Sequence, residues 1–162
     1  MRFLRDVFDY RQVAWLVILA AAGYFTWLAF ASEGWWGGGD ALVHYRMARF
    51  AWQHPLLFLD LWGKPVFTLL SAPFALFGFK AMRLFNILTA LLTAWTAFDL
   101  LRRMELRNGV LAMVLILTAP IYFILIPSTL TEPLFGFVLL LAPWFMLWGK
   151  YVAGAAVVSF LP

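Results

Sequence analysis

Six side chains in this sequence are of the types that handle a phosphate and a hydroxyl: Asp40, His44, Arg46, Asp60, Lys64 and Glu132. Asp40 follows Gly37-Gly38-Gly39, and glycines let a backbone approach a ligand closely. A carboxylate there is a candidate general base. It is equally suited to be the N-cap of a helix that starts after the glycines. His44 falls one helical turn later on the same face, where it can help bind a phosphate or simply hydrogen-bond Asp40. No third ligand is close in sequence, so the pair does not read as a metal site. The run Asp60-Leu61-Trp62-Gly63-Lys64-Pro65 brings opposite charges and turn residues together. Its lysine can meet a phosphate as a point charge or snorkel to an interface. Glu132 lies in Ser128-Thr129-Leu130-Thr131-Glu132-Pro133. Thr129 and Glu132 have capping-box spacing and Pro133 suits a first turn. An acid beside long apolar runs is also a functional candidate, because it is costly to keep there.

The elements that must position these residues are apolar to an unusual degree. Of 162 residues 65% are hydrophobic, 19% aromatic and 12% charged, with a mean hydropathy of +0.88. A water-soluble domain carries roughly twice that share of charge. The expected fold class is therefore all-α, a polytopic transmembrane helix bundle. There is no cysteine, which excludes disulfides, thiolate nucleophiles and Cys-ligated metals. The net charge of +4 does not point to nucleic acid, because the basic residues sit at the ends of apolar runs.

Spans are expected at about 13–31, 82–101, 109–127 and 131–148, with an outer loop over 32–81. The first run, Val13 to Ala31, would reach about 28 Å, enough to cross a hydrocarbon core. Ala29-Phe30-Ala31 has the form of a signal-peptide cleavage site, but the run is longer than an ordinary signal core. Within the loop, Ala41 to His54 is expected to be a helix opened by Asp40 and closed before Pro55. Val43, Met47, Phe50 and His54 would share one face and Arg46, Arg49 and Gln53 another, as in a helix lying at a bilayer surface. The stretch from Pro65 to Phe79 is short and proline-flanked, which fits a re-entrant or interfacial segment. Asn86, Thr89, Thr93 and Thr96 form a stripe suited to helix packing. Tryptophans, Trp35 and Trp36 among them, are expected at interfaces. Residues 151–162 begin a further apolar run, so the expectation is a fragment truncated within another span.

If 65–79 does not cross, Arg2, Arg5, Arg11, Arg102, Arg103, Arg107 and Lys150 share one side. Arg46, Arg49, Lys64, Lys80 and Arg83 then share the other. That excess places the N-terminus in the cytoplasm. The 32–81 loop and Glu132 would then share the extracytoplasmic face.

The order of these features, with "WGKPVFTLLSAPFALFG", "AMRLFNILTALLTAWTAFDLLRR" and "STLTEPLFGFVLLLAPWFMLWGK", resembles the GT-C superfamily of membrane glycosyltransferases. The similarity is to the mannosyl- and arabinosyl-type enzymes that use polyprenyl-phosphate sugars, and it spans roughly residues 10–150. The resemblance implies a multi-pass protein of a bacterial inner membrane, with the lipid-linked sugar donor, membrane lipids and an acceptor hydroxyl as partners. It implies that Asp40 is the catalytic base, Lys64 contacts the lipid phosphate and Glu132 shapes the substrate site. His44 or an arginine such as Arg46 would assist at the phosphate, and Asp60 belongs to the same substrate-binding loop. Many members carry paired acids, whereas here Ala41 and Leu42 follow Asp40. A divalent cation wants several oxygen ligands, so the expected transfer is inverting and without a metal cofactor. The rivals are a transporter-like module, which would predict an internal repeat that the sequence lacks, and a membrane scaffold in which Asp40 and Glu132 only cap helices.

Overall fold

In the computed structural model, residues 11–34 and 37–159 are described. Arg2, Arg5, Trp35, Trp36 and Pro162, used in the reading above, lie outside them. All regular structure among the described residues is helical. The order is α1 (Arg11–Ala31), α2 (Gly38–Phe50), a 3₁₀ turn (Pro55–Leu59), α3 (Pro65–Ala75), α4 (Phe79–Arg103), α5 (Gly109–Thr118), α6 (Pro120–Leu125), α7 (Glu132–Leu147) and α8 (Tyr151–Ser159).

Helix α4 is the axis of the molecule. Its small and hydroxylated residues let neighbours approach closely on several sides. Ala90, Ala94 and Phe98 pack with Phe25, Ala29, Met113 and Leu117 in one apolar cluster. Met82 and Phe85 join Ala48, Phe67, Ala72 and Leu134 in a second. The expected stripe of Asn86, Thr89, Thr93 and Thr96 is buried. The hydroxyls of Thr89 and Thr93 bond back to the carbonyls of Asn86 and Thr89 at 2.9 and 2.7 Å, which removes their polarity from the packing surface.

Contacts at the two ends of α4 fix the directions of its neighbours. Arg83, near the start of α4, reaches Ala29 at the end of α1, so those helices run antiparallel. Asn86 meets Ser128 and Leu130 before α7, and Asp99 meets Trp144 near the end of α7, so α4 and α7 run parallel. The crossover between them is α5 and α6.

Among the described residues, two helices are long and apolar enough to cross a membrane: α1 with mean hydropathy 1.9 and α4 with 1.6. The expected span at 109–127 is instead two pieces. Pro120 forces Ala119 to an extended ψ of 125°, ending α5 at Thr118. The expected span at 131–148 is α7, with 16 residues and an internal proline, Pro143. At 11 residues α3 is about 16 Å long, too short to cross. It lies along α2 instead, with Arg49 donating to the Ala75 and Leu76 carbonyls and Ala48 packed with Phe67 and Ala72.

The helix expected at Ala41 to His54 is shifted toward the N-terminus. It begins at Gly38, with Gly37 as N-cap at φ 99°, and ends at Phe50. Glycine is needed at 37 twice over: that φ belongs to the left-handed region, and a Cβ there would come within 2.6 Å of Leu130 Cδ1. The face that packs on the protein is a separate one from the apolar face expected at the bilayer surface. Ala41, His44 and Ala48 are buried, while Val43 and Phe50 are exposed. The small alanines allow α3 to come close, and the larger side chains are left outside.

Candidate functional site

The end of the bundle where α1 stops and where α4 and α7 start also holds α2 and the turn before α3. Local chemistry fixes each piece. Asp60 Oδ1 accepts the N–H groups of Trp62 and Gly63 at 2.8 and 3.2 Å, folding the chain into an Asx-type turn. Gly63 is pressed against Met47 Sδ and Thr68 Oγ1, where a Cβ would sit 2.9 Å from each. Thr68 donates its hydroxyl to the Gly63 carbonyl at 2.6 Å, locking the turn onto α3. Lys64 follows with φ 55° and ψ 98°, a conformation costing a non-glycine residue about 1–3 kcal/mol. Strain of that kind gathers where neighbours must hold one side chain in a particular direction.

The turn before α7 is tied to α2 in the same manner. Thr129, fully buried, donates its hydroxyl to the Ala41 carbonyl at 2.6 Å. Leu130 packs on Gly37. The Asn86 amide donates to the Ser128 and Leu130 carbonyls at 2.9 and 2.8 Å. Thr129 therefore does not form the expected capping box with Glu132. Thr131 is the N-cap, without a side-chain bond, and Glu132 stands exposed in the first turn of α7. Asp40 departs from its capping reading too. It lies in the first turn of α2 behind Gly37, and it is exposed. Both acids thus occupy helix starts where the dipole favours a carboxylate, and neither is the N-cap.

His44 follows Asp40 by one turn of α2. It is only 7% exposed and stacks edge-on to Phe67 at 5.6 Å. Its Nδ1 is buried without a hydrogen-bond partner among the described residues. Burial lowers its pKa from the ordinary 6.5. The negative charges of Asp40 and Glu132 oppose that shift, and the positive charge of Lys64 adds to it. Asp40, Lys64 and Glu132, from three separate segments, are thus close enough to act on one imidazole.

The remaining two candidates stand apart from this group. Asp60 is occupied in holding the turn that presents Lys64. Arg46 is exposed on the outer side of α2, where it lines a cleft of about 410 Å³ with Met47, Phe50, His54 and Leu57. Among the described residues, no three His, Asp or Glu side chains are grouped to hold a metal ion.

Four residues that matter here were not singled out as site-builders from sequence. Arg83 is buried and donates to the Ala29 carbonyl at 2.7 Å, to the Ser32 carbonyl and hydroxyl at 3.3 and 3.0 Å, and to the Gly34 carbonyl. With Lys80, which reaches the Phe30 carbonyl at 3.0 Å, it caps the C-terminus of α1. The signal was available, because an arginine inside an apolar run calls for a partner. Asn86 was read as packing and Thr129 as a cap, since a partner distant in sequence leaves no local trace. Comparison with protein-family models, with curated proteins and with solved structures finds no match to this chain.

Proposed function

We propose that this chain is a GT-C-type membrane glycosyltransferase unit, moving a sugar from a polyprenyl-phosphate donor to an acceptor hydroxyl at the extracytoplasmic face. The observation that carries the reading is that the first turns of α2 and α7, which hold Asp40 and Glu132, are tied together by the Thr129 bond to the Ala41 carbonyl, with buried His44 on α2 and the locked Lys64 turn at the same end of the bundle. Two acids, a strained lysine and a buried imidazole are what a phosphate leaving group and a hydroxyl nucleophile require. In this reading the chain crosses an inner membrane four times, with α5 and α6 together as the third crossing, and its N-terminus is cytoplasmic.

Asp40 takes the proton of the acceptor hydroxyl. That oxygen bonds to the anomeric carbon as the bond from carbon to the phosphate oxygen breaks, and the electron pair departs on the lipid phosphate. Lys64 meets the charge that develops there, and the neutral His44 ring offers one N–H donor to the same group. Glu132 bounds the sugar or acceptor from the opposite helix. One displacement inverts the anomeric centre, and no step calls for a metal.

The experiment follows transfer of labelled sugar in membranes carrying the full-length protein, with polyprenyl-phosphate mannose and polyprenyl-phosphate arabinose as probes. Asp40→Asn leaves the fold intact, because this exposed first-turn residue gives up only a helix-dipole interaction of about 0.3–1 kcal/mol, and it removes the base. Transfer falls at least about a hundredfold, the low end of what general base catalysis contributes. Near-normal transfer by this variant would remove Asp40 from the reaction.

A further inference from the structure

Between α2 and α3 the chain turns outward and exposes large apolar side chains in close succession. Leu56 is 82% exposed, Leu59 72%, Leu61 84% and Trp62 59%, with Phe50 and Trp52 also exposed. The backbone beneath them is held, not loose. The 3₁₀ turn Pro55–Leu59 is followed by the Asp60 turn, and Trp52 stacks edge-on to Phe58 at 5.2 Å. This segment lies outside both long apolar helices, so their lipid-facing surface does not account for it. Left in water, it would be a contiguous apolar patch of a kind that soluble surfaces avoid.

The charge around the patch identifies what covers it. Residues 46–64 hold Arg46, Arg49 and Lys64 against one acid, Asp60. One oxygen of the Asp60 carboxylate is engaged by two backbone N–H groups. Beside the apolar residues is the cleft lined by Arg46, His54, Met47, Phe50 and Leu57. A cation and an imidazole above apolar walls match a lipid phosphate above its acyl chains. Basic residues are attracted to an anionic leaflet, and tryptophan prefers the headgroup level.

We propose that residues 50–62 form a finger that enters the outer leaflet, with Arg46 and His54 held against the phosphates of anionic lipids. The finger thereby fixes the height of α2 and of the Lys64 turn relative to the bilayer. The proposal rests on the membrane reading of α1 and α4 and not on sugar transfer.

Because the chain contains no cysteine, single Cys substitutions carry a nitroxide without background. Leu56→Cys probes the finger, Leu19→Cys the exposed face of α1, and Arg107→Cys the exposed turn at the far end of α4. The full chain is reconstituted in phosphatidylcholine vesicles with and without phosphatidylglycerol. Collisions of each label with oxygen and with a water-soluble nickel complex are then compared. The Leu56 label is expected to meet the nickel complex several-fold less often than the Arg107 label, and to sink further when phosphatidylglycerol is present. Arg46→Gln is expected to abolish that further sinking. A Leu56 label as wet as Arg107, beside a shielded Leu19 label, overturns the finger while sparing the membrane reading. A wet Leu19 label overturns both. Equal immersion in the two lipid mixtures overturns the choice of anionic lipid.

Discussion

Replacing Asn86 with alanine tests whether the bundle, and not the loops alone, sets the geometry of the candidate site. The amide nitrogen holds two carbonyls of the turn before α7, at 2.9 and 2.8 Å, and the side chain is fully buried. Two lost hydrogen bonds cost about 1 kcal/mol each, and two stranded carbonyls add up to about 1 kcal/mol apiece. The sum is about 2–4 kcal/mol. Deep in a bilayer each such bond averages only about 0.6 kcal/mol, because the unfolded helices find other partners there. The turn lies at the end of the bundle, where the competing partner is water, so the larger figure applies. The Asn86 Oδ1 has no hydrogen-bond partner among the described residues, so no acceptor bond seen there is lost. The assay is reversible unfolding in mixed micelles, together with the distance distribution between nitroxides at positions 39 and 135. The expected outcome is the stated loss of stability and a broadened distribution as the turn comes free. A change under about 0.5 kcal/mol, the range of ordinary surface substitutions, with an unaltered distribution would refute the reasoning.

Burial keeps the His44 imidazole below its ordinary pKa of 6.5, so the unfolded chain binds the extra proton first. Stability is therefore full above pH 6.5 and declines as pH falls toward the depressed folded value; His44→Gln is expected to flatten that slope, and an unchanged slope would count against it. Cysteines placed at Lys80 and Arg103, the two ends of α4, are expected to react with an impermeant reagent from opposite sides of sealed vesicles. Labelling of both from one side would end the proposed topology. In the double variant Asp40→Asn with Glu132→Gln, sugar transfer is expected to fall no further than in Asp40→Asn alone if Glu132 only orients substrate for the base. Additive losses would show that Glu132 acts independently.

Much of the architecture was legible because apolar length and punctuation are local properties. Proline at 65 and the basic pair Arg102-Arg103 at the end of α4 mark their boundaries in the sequence itself. The inward stripe on α4 was legible for the same reason, since Asn86, Thr89, Thr93 and Thr96 recur at helical spacing. The start of α2 was misplaced because a capping aspartate after glycines is a strong local preference. Leu130, 93 positions from Gly37, decides otherwise by packing on that glycine. The face of α2 that packs on the protein was not identified from sequence, because close approach to α3 selects the small residues Ala41 and Ala48. The break at Ala119 was concealed by continuous hydropathy, which records solvent preference and not backbone continuity.

The deeper reason the candidate site escapes a local reading is that its frame is held elsewhere. Arg83 and Asn86 are three residues apart in α4, adjacent on one helical surface. Arg83 grips the carbonyls at 29–34 that lead toward Asp40, and Asn86 grips those at 128 and 130 that lead into Glu132. The Thr129 bond to the Ala41 carbonyl closes the circuit between the two acids. One rigid helix therefore sets the height of both carboxylates, although neither belongs to it. Alanine at 83 or 86 should thus disturb the relation between Asp40 and Glu132 while leaving each acid on an intact first turn. Sequence patterning cannot reveal such a frame, because its members are bonded to backbone carbonyls, and a carbonyl is present at every position of the chain.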